Sequence, residues 1–249
     1  MWVGGWEGEW VSRRRLGFWR RLAVVLLKPP LLVLTRRDWR GREQLPASGG
    51  VIIVSNHISY ADPLVVAHYV YDQGRWPQFL AKQGVFDVPV IGRILHRLGQ
   101  IPVRRGTVDA VQALASAAEA VRAGDAVVIY PEGTITRDPQ LWPMRARTGV
   151  ARLWLETGAP VVPVVNWGAQ HLIHPRTRKL RLRLRTPVTV MAGPPIDLSA
   201  YRDVPVTNAV LQEITEQVML RLQELLAQVR EEPPPPALWG AESRRDGAR

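Results

Sequence analysis

Val51-Ile52-Ile53-Val54-Ser55-Asn56-His57-Ile58-Ser59-Tyr60-Ala61-Asp62-Pro63 passes from an apolar run through a polar turn into a segment opened by proline. Consecutive β-branched aliphatics fit a short strand buried on both faces. Ser55, Asn56 and His57 end it, and an amphipathic segment begins at Pro63. Aspartate is favoured just before a helix and proline in its first turn, so Asp62-Pro63 reads as an N-cap followed by the first helical residue. The junction also sets an imidazole and a carboxylate five positions apart. With the helix dipole keeping Asp62 ionised, its carboxylate can fix the tautomer of His57 and leave the other ring nitrogen as a base for an alcohol. Plain helix capping by Asp62 and a turn position for His57 account for the same residues without chemistry.

Outward from this junction the pattern repeats. From Arg42 to about Leu198, β-rich runs at 51–55, 78–81, 101–103, 126–130 and 161–165 alternate with helical segments at 63–71, 90–98, 108–123 and 149–157. Thr107 suits the start of the third helix and Gly124 its stop. A further pair of strands is expected around 180–185 and 188–191. The alternation predicts an α/β fold: one domain with a mixed, mostly parallel central sheet flanked by helices. In Leu180-Arg181-Leu182-Arg183-Leu184-Arg185 the period of two is strict, so the leucines should face a core and the arginines a common outer face. That face is either solvated or a basic surface for lipid or coenzyme phosphates. Between Thr207 and Arg230, Val210, Leu211, Ile214, Val218, Leu222, Leu225 and Val229 recur at helical spacing and predict a packing helix. Residues 231–249, with prolines at 233–236, read as a disordered tail.

At 249 residues, 46% of them hydrophobic and 22% charged, the chain can bury a substantial single core. It contains no cysteine, which removes a thiol nucleophile, a disulfide framework and any Cys-containing zinc site. The histidines other than His57 form no H-E-x-x-H pattern, and His171 with His174 reads as a loop pair, so no metal is expected. The formal charge of +11 calls for an anionic partner: nucleic acid, phospholipid headgroups or a phosphorylated substrate. No helix-turn-helix, zinc-finger or aromatic RNA-binding signature is present, and nucleic acid is not the expected partner. Ser59 lacks a G-x-S-x-G setting, which argues against a serine hydrolase.

The amino terminus points to lipid. Trp2, Trp6, Trp10, Phe18 and Trp19 lie among Arg13, Arg14, Arg15, Arg20 and Arg21, a composition suited to an anionic membrane surface. The apolar stretch 22–34 is interrupted by Lys28-Pro29-Pro30 and is shorter than the ~20 residues a spanning helix needs. It reads as an interfacial or re-entrant segment rather than a signal peptide. Residues 1–39 are therefore assigned to a membrane-associating segment, 40–230 to the catalytic domain and 231–249 to the tail.

Two more polar clusters complete the picture. The strand 126–130 runs into Pro131-Glu132-Gly133-Thr134, and between this cluster and the first lies Gly99-Gln100-Ile101-Pro102-Val103-Arg104, whose guanidinium suits a phosphate. Ligands of open α/β sheets collect at the carboxyl ends of strands, so these clusters could face one cleft. Their order resembles that of the 1-acylglycerol-3-phosphate acyltransferase family. Asn56-His57, Asp62-Pro63, Gly99 to Arg104, Pro131 to Thr134 and Val161-Val162-Pro163-Val164 match its four blocks, and the resemblance covers about Arg40 to Val165. Two departures bear on the acceptor. Ile135 stands where the third block usually continues with arginine, with Arg137 two residues later, and Pro102 stands where the second block tends to carry a bulky apolar residue.

The resemblance implies acyl transfer from acyl-CoA or acyl-ACP to the 2-hydroxyl of a lysophosphatidate or related lysolipid, giving phosphatidic acid in the first case. His57 oriented by Asp62 would be the base, and the substrate hydroxyl would replace the serine of a Ser-His-Asp triad. Arg104, Glu132, Gly133 and Thr134 would bind the acceptor's phosphate and glycerol, with Lys82 and Arg137 as further candidates. No cofactor beyond the acyl co-substrate is implied, and the expected location is the cytoplasmic face of the membrane.

Overall fold

Short runs of valine and isoleucine separated by amphipathic segments give this chain its layers. The computed structural model describes residues 16–104 and 108–240. The chain runs through α1 (Phe18–Leu34), β1 (Thr35–Arg40), β2 (Val51–Ser55), α2 (Asp62–Asp72), β3 (Pro77–Lys82), α3 (Gln83–Phe86), α4 (Pro89–Arg97) and β4 (Ile101–Val103). It continues through α5 (Val108–Arg122), β5 (Ala126–Ile129), α6 (Gly149–Thr157), β6 (Val161–Trp167), β7 (Thr186–Ala192) and α7 (Asn208–Arg230). The strands form one sheet in the order β1-β7-β6-β2-β5-β3-β4. Among the described strands only β6 and β7 pair antiparallel, so the sheet is mixed and mostly parallel.

Successive strand residues point to opposite faces, and both faces are covered. Ile52, Val54, Val127, Ile129, Val161 and Val165 pack with residues of α5, α6 and α7. Val51, Ile53, Val128, Val162 and Val164 pack with Val65, Val66 and Tyr69 of α2. Each fully buried aliphatic side chain contributes about 1.5–3 kcal/mol, so the central strands hold the layers together and fix where their carboxyl ends emerge. The helix anticipated from Thr207 to Arg230 forms as α7, capped by the Thr207 hydroxyl, which accepts from the Val210 N–H, with Leu211, Ile214, Val218, Leu222 and Leu225 buried.

Three expectations need correction: the boundary at residue 39, the strand at 180–185 and the loose tail. Residues 35–39, grouped with the amino-terminal segment, belong to the sheet, because β1 pairs with β7 from Thr35 onward. The helix of the amino-terminal segment runs unbroken through Pro29 and Pro30 as α1. It is 17 residues long with no buried residue, and no described helix is long and apolar enough to cross a membrane. Residues 180–185 form no strand, and Leu180, Leu182 and Leu184 are exposed. Alternation shows which residues could share a face, not that a neighbouring strand exists. Here both edges of β7 are already taken by β6 and β1. The start of the proline-rich tail is packed rather than loose: Leu238 is buried, the Trp239 carbonyl accepts from the Arg145 N–H at 3.1 Å, and the Pro235 carbonyl accepts from Gln223 at 3.2 Å. Residues 241–249, like Trp2, Trp6, Trp10 and Arg13 to Arg15, lie outside the described residues.

Candidate active site

Strands β2 and β5 are parallel neighbours with Val54 opposite Ile129. The turns that leave them, 56–62 and 130–136, therefore emerge side by side at one edge of the sheet. Asn56 fastens the first turn to the end of β6: its amide donates to the Asn166 carbonyl at 3.0 Å and its side-chain oxygen accepts from the Asn166 N–H at 2.8 Å. The His57 carbonyl accepts from the Thr136 N–H at 2.8 Å, which joins the first turn to the second.

Asp62 occupies the first turn of α2 rather than the cap, which is Ala61. Its Oδ2 receives three donors: the Ile58 N–H at 2.6 Å, the Ser59 N–H at 2.8 Å and His57 Nδ1 at 2.8 Å. The side chain is wholly buried. Burial pushes the carboxyl up from its ordinary value, opposed by the hydrogen bond and charge of His57 and by the Ser59 and Ile58 amides. The His57 ring is stacked on Tyr130 with centroids 4.2 Å apart and planes 20° apart. Its side chain keeps 17% exposure. Held by Asp62 at Nδ1 and by Tyr130 on its face, the ring presents Nε2 as its remaining functional atom. The Tyr130 ring is half-buried with its phenol oxygen fully enclosed, and that burial raises the phenol well above the ordinary value, so it forms a neutral wall.

Glu132 is placed differently from expectation. Its Oε1 accepts from the His57 N–H at 3.2 Å and its Oε2 from the Met144 N–H at 3.2 Å. It does not line the cavity beside His57. Burial pushes its carboxyl up to about 8, against the pull of the Met144 and His57 amides. Glu132 is a positioning residue that ties the two turns together. Gly133, at φ +70, supplies the left-handed corner that turns the chain there.

The cavity has a volume of about 1680 Å³ and is walled mainly by apolar side chains, among them Val24, Leu27 and Leu31 of α1, Leu64 of α2 and Leu80 of β3. His57, Gly133, Thr134, Ile135 and Lys82 line it. Arg104 and Arg137 are exposed and do not. Three arginines outside the recognised blocks do, Arg147, Arg152 and Arg178. Arg147 is brought there because its N–H donates to the Pro131 carbonyl at 3.1 Å, a contact no sequence spacing announces. The Arg178 guanidinium lies 5.1 Å from the ring centroid of Tyr60, which also lines the cavity. Among the described residues no group of three metal-ligating side chains converges. The arrangement can take a proton at His57 beside an apolar chamber, and the chamber's wall offers cationic side chains to an anion.

The Acyltransferase family model matches residues 36–167, 132 of the chain's 249 residues. A chloroplastic 1-acyl-sn-glycerol-3-phosphate acyltransferase of Brassica napus is 33% identical over 159 residues, which is 63% of this chain and 44% of that protein. A 1-acyl-sn-glycerol-3-phosphate acyltransferase of Borreliella burgdorferi is 27% identical over 184 residues, covering 72% of this chain and 70% of its own. Among solved structures, the 1-acyl-sn-glycerophosphate (LPA) acyltransferase PlsC from Thermotoga maritima superposes with a TM-score of 0.55 at 26% identity, over 84% of this chain and 77% of that one. The chain spans under half the length of the chloroplastic relatives. Since the matched region contains both turns of the His57 site and exceeds half of the sequence, the chain belongs to the Acyltransferase family.

Proposed function

We propose that this protein transfers an acyl group from an acyl thioester, acyl-CoA or acyl-ACP, to the 2-hydroxyl of 1-acylglycerol 3-phosphate, yielding phosphatidic acid. The observation that carries the reading is the 2.8 Å contact between His57 Nδ1 and the buried Asp62, on a ring that lines a large apolar cavity. The names of the relatives support the acceptor.

An alcohol is almost wholly protonated at neutral pH, whereas a thioester is already an activated electrophile. The enzyme's task is therefore to take the hydroxyl proton as the oxygen attacks, a contribution of about 10²–10⁴ in rate. His57 Nε2 accepts that proton while the new C–O bond forms. The tetrahedral intermediate then expels the thiolate, breaking the C–S bond, and the imidazolium returns its proton to the departing sulfur. Asp62 holds the ring in the required tautomer and stabilises the imidazolium through Nδ1–H. Lys82, Arg147 and Arg178 supply the charge for the acceptor phosphate or the donor's anionic carrier. The apolar wall accepts the lipid chains, and the exposed apolar side of α1 rests on the cytoplasmic face of an anionic membrane.

Ile135, which lines the cavity where the family usually has arginine, favours a second reading in which the acceptor is another lysolipid or a glycolipid precursor. A panel assay with radiolabelled acyl-CoA separates the two. Preference for 1-acylglycerol 3-phosphate over lysophosphatidylethanolamine and monoacylglycerol is the expected result. Equal or better use of either of the other two acceptors would overturn the lysophosphatidate assignment.

A further inference from the structure

The segment Leu180 to Arg185 leaves its leucines in water. Leu180, Leu182 and Leu184 are 59%, 72% and 65% exposed. Exposed apolar groups rimmed by charge mark an interaction surface. The segment is held in place at both ends, because the Arg181 N–H donates to the Leu172 carbonyl at 2.8 Å and the Arg185 N–H donates to the Val33 carbonyl at 3.2 Å. The second of these contacts lays it beside the end of α1, where Leu32 and Val33 are also exposed. Upstream, Arg178 reaches Tyr60 at the cavity. Between Glu156 and Asp197 the sequence contains no acidic residue, while Arg176, Arg178, Lys179, Arg181, Arg183 and Arg185 all fall in this interval.

We propose that residues 180–185 and the adjoining outer side of α1 form one docking surface for an anionic lipid bilayer, which seats the cavity against the membrane. The proposal rests on the lipid-acceptor reading and adds a second contact to it. An acidic protein or a nucleic acid would match the arginines but leave the leucines uncovered. A second copy of the chain would set like charges against one another. A bilayer with anionic headgroups satisfies both residue types at once, the guanidinium groups at phosphate level and the leucines just beneath.

The test is co-sedimentation of the full-length chain with vesicles of phosphatidylcholine alone and of phosphatidylcholine with phosphatidylglycerol. Arg183→Gln with Arg185→Gln should weaken partitioning onto the anionic vesicles by about tenfold or more. Leu182→Ser with Leu184→Ser should weaken binding to both kinds. These side chains are exposed, so thermal melting should be unchanged, and so should turnover of a short-chain, water-soluble acceptor. Absence of turnover in the unmodified chain would count against the acyltransferase reading, while the vesicle result would still judge the surface. Unchanged partitioning in both variants overturns the proposal. So does a defect confined to capture of acyl carrier protein, or to self-association on a sizing column.

Discussion

Replacing Glu132 by alanine separates a scaffold carboxylate from a substrate contact. The change strands two backbone donors, the N–H groups of His57 and Met144, which Glu132 accepts at 3.2 Å each. An unsatisfied buried donor costs roughly 1–3 kcal/mol, so Glu132→Ala should lose about 2–6 kcal/mol. At about 2–4 °C per kcal/mol for a chain of this size, the melting temperature should fall by roughly 4–24 °C. Glu132→Gln keeps one acceptor and should lose about half as much near neutral pH. The pH dependence adds a second readout. Burial raises the Glu132 carboxyl from 4.5 to about 8, so the folded chain binds this proton more tightly than the unfolded one. Its contribution to stability is therefore full below about 4.5 and is lost as pH rises through about 8. At about 1.36 kcal/mol per pH unit the loss amounts to roughly 5 kcal/mol across that window. Glutamine does not titrate, so the deficit of Glu132→Gln should shrink or reverse between about pH 5 and pH 8. Urea titrations of the three proteins at the two ends of this range measure it. Wild-type stability in Glu132→Ala, together with a raised KM for the acceptor, would refute the reasoning and return Glu132 to the binding site.

Other substitutions test neighbouring steps. Asp62→Asn removes the charge that stabilises the imidazolium and should cut kcat by about 10²–10⁴ with little change in KM; near-normal kcat would show that the contact at His57 Nδ1 is not used in turnover. Arg147→Ala should raise the KM for a phosphorylated acceptor about tenfold or more, the loss of one charge-assisted contact. Arg137→Ala, outside the cavity, should leave that KM unchanged, and the opposite ranking would restore the sequence-based choice. Gly92→Ala should destabilise although alanine is ordinarily the better helix former, because the added Cβ would come within 1.8 Å of the Phe86 carbonyl oxygen. A loss of about 1–3 kcal/mol or more is expected by chemical denaturation, and a stabilised variant would mean that α3 and α4 pack differently.

What could be read from the sequence was local. The run Val51 to Ser55, its polar turn and the Asp62-Pro63 helix start lie within thirteen residues, so strand, junction and the His57–Asp62 contact were all legible there. The mostly parallel sheet followed from the alternation of strands and helices. Contacts between distant segments were not legible. Glu132 meets the His57 amide across 75 positions, and a backbone partner leaves no residue pattern. β1 was missed because Thr35-Arg36-Arg37-Asp38-Trp39-Arg40 is an edge strand with only Thr35 buried, so its composition reads as a charged loop. Residues 180–185 erred in the other direction, since a perfect alternation has no strand to pair with. The aromatic Tyr130 at the end of β5 was the one available hint of a wall behind the His57 ring.

The central claim is that His57 takes the hydroxyl proton, and the direct measurement is the rate of acyl transfer from radiolabelled acyl-CoA to 1-acylglycerol 3-phosphate by His57→Ala. Folding of the variant is checked alongside by circular dichroism. A loss of about 10²–10⁴-fold or more in a folded protein is the expected result. A folded variant that turns over at the unmodified rate would contradict the account.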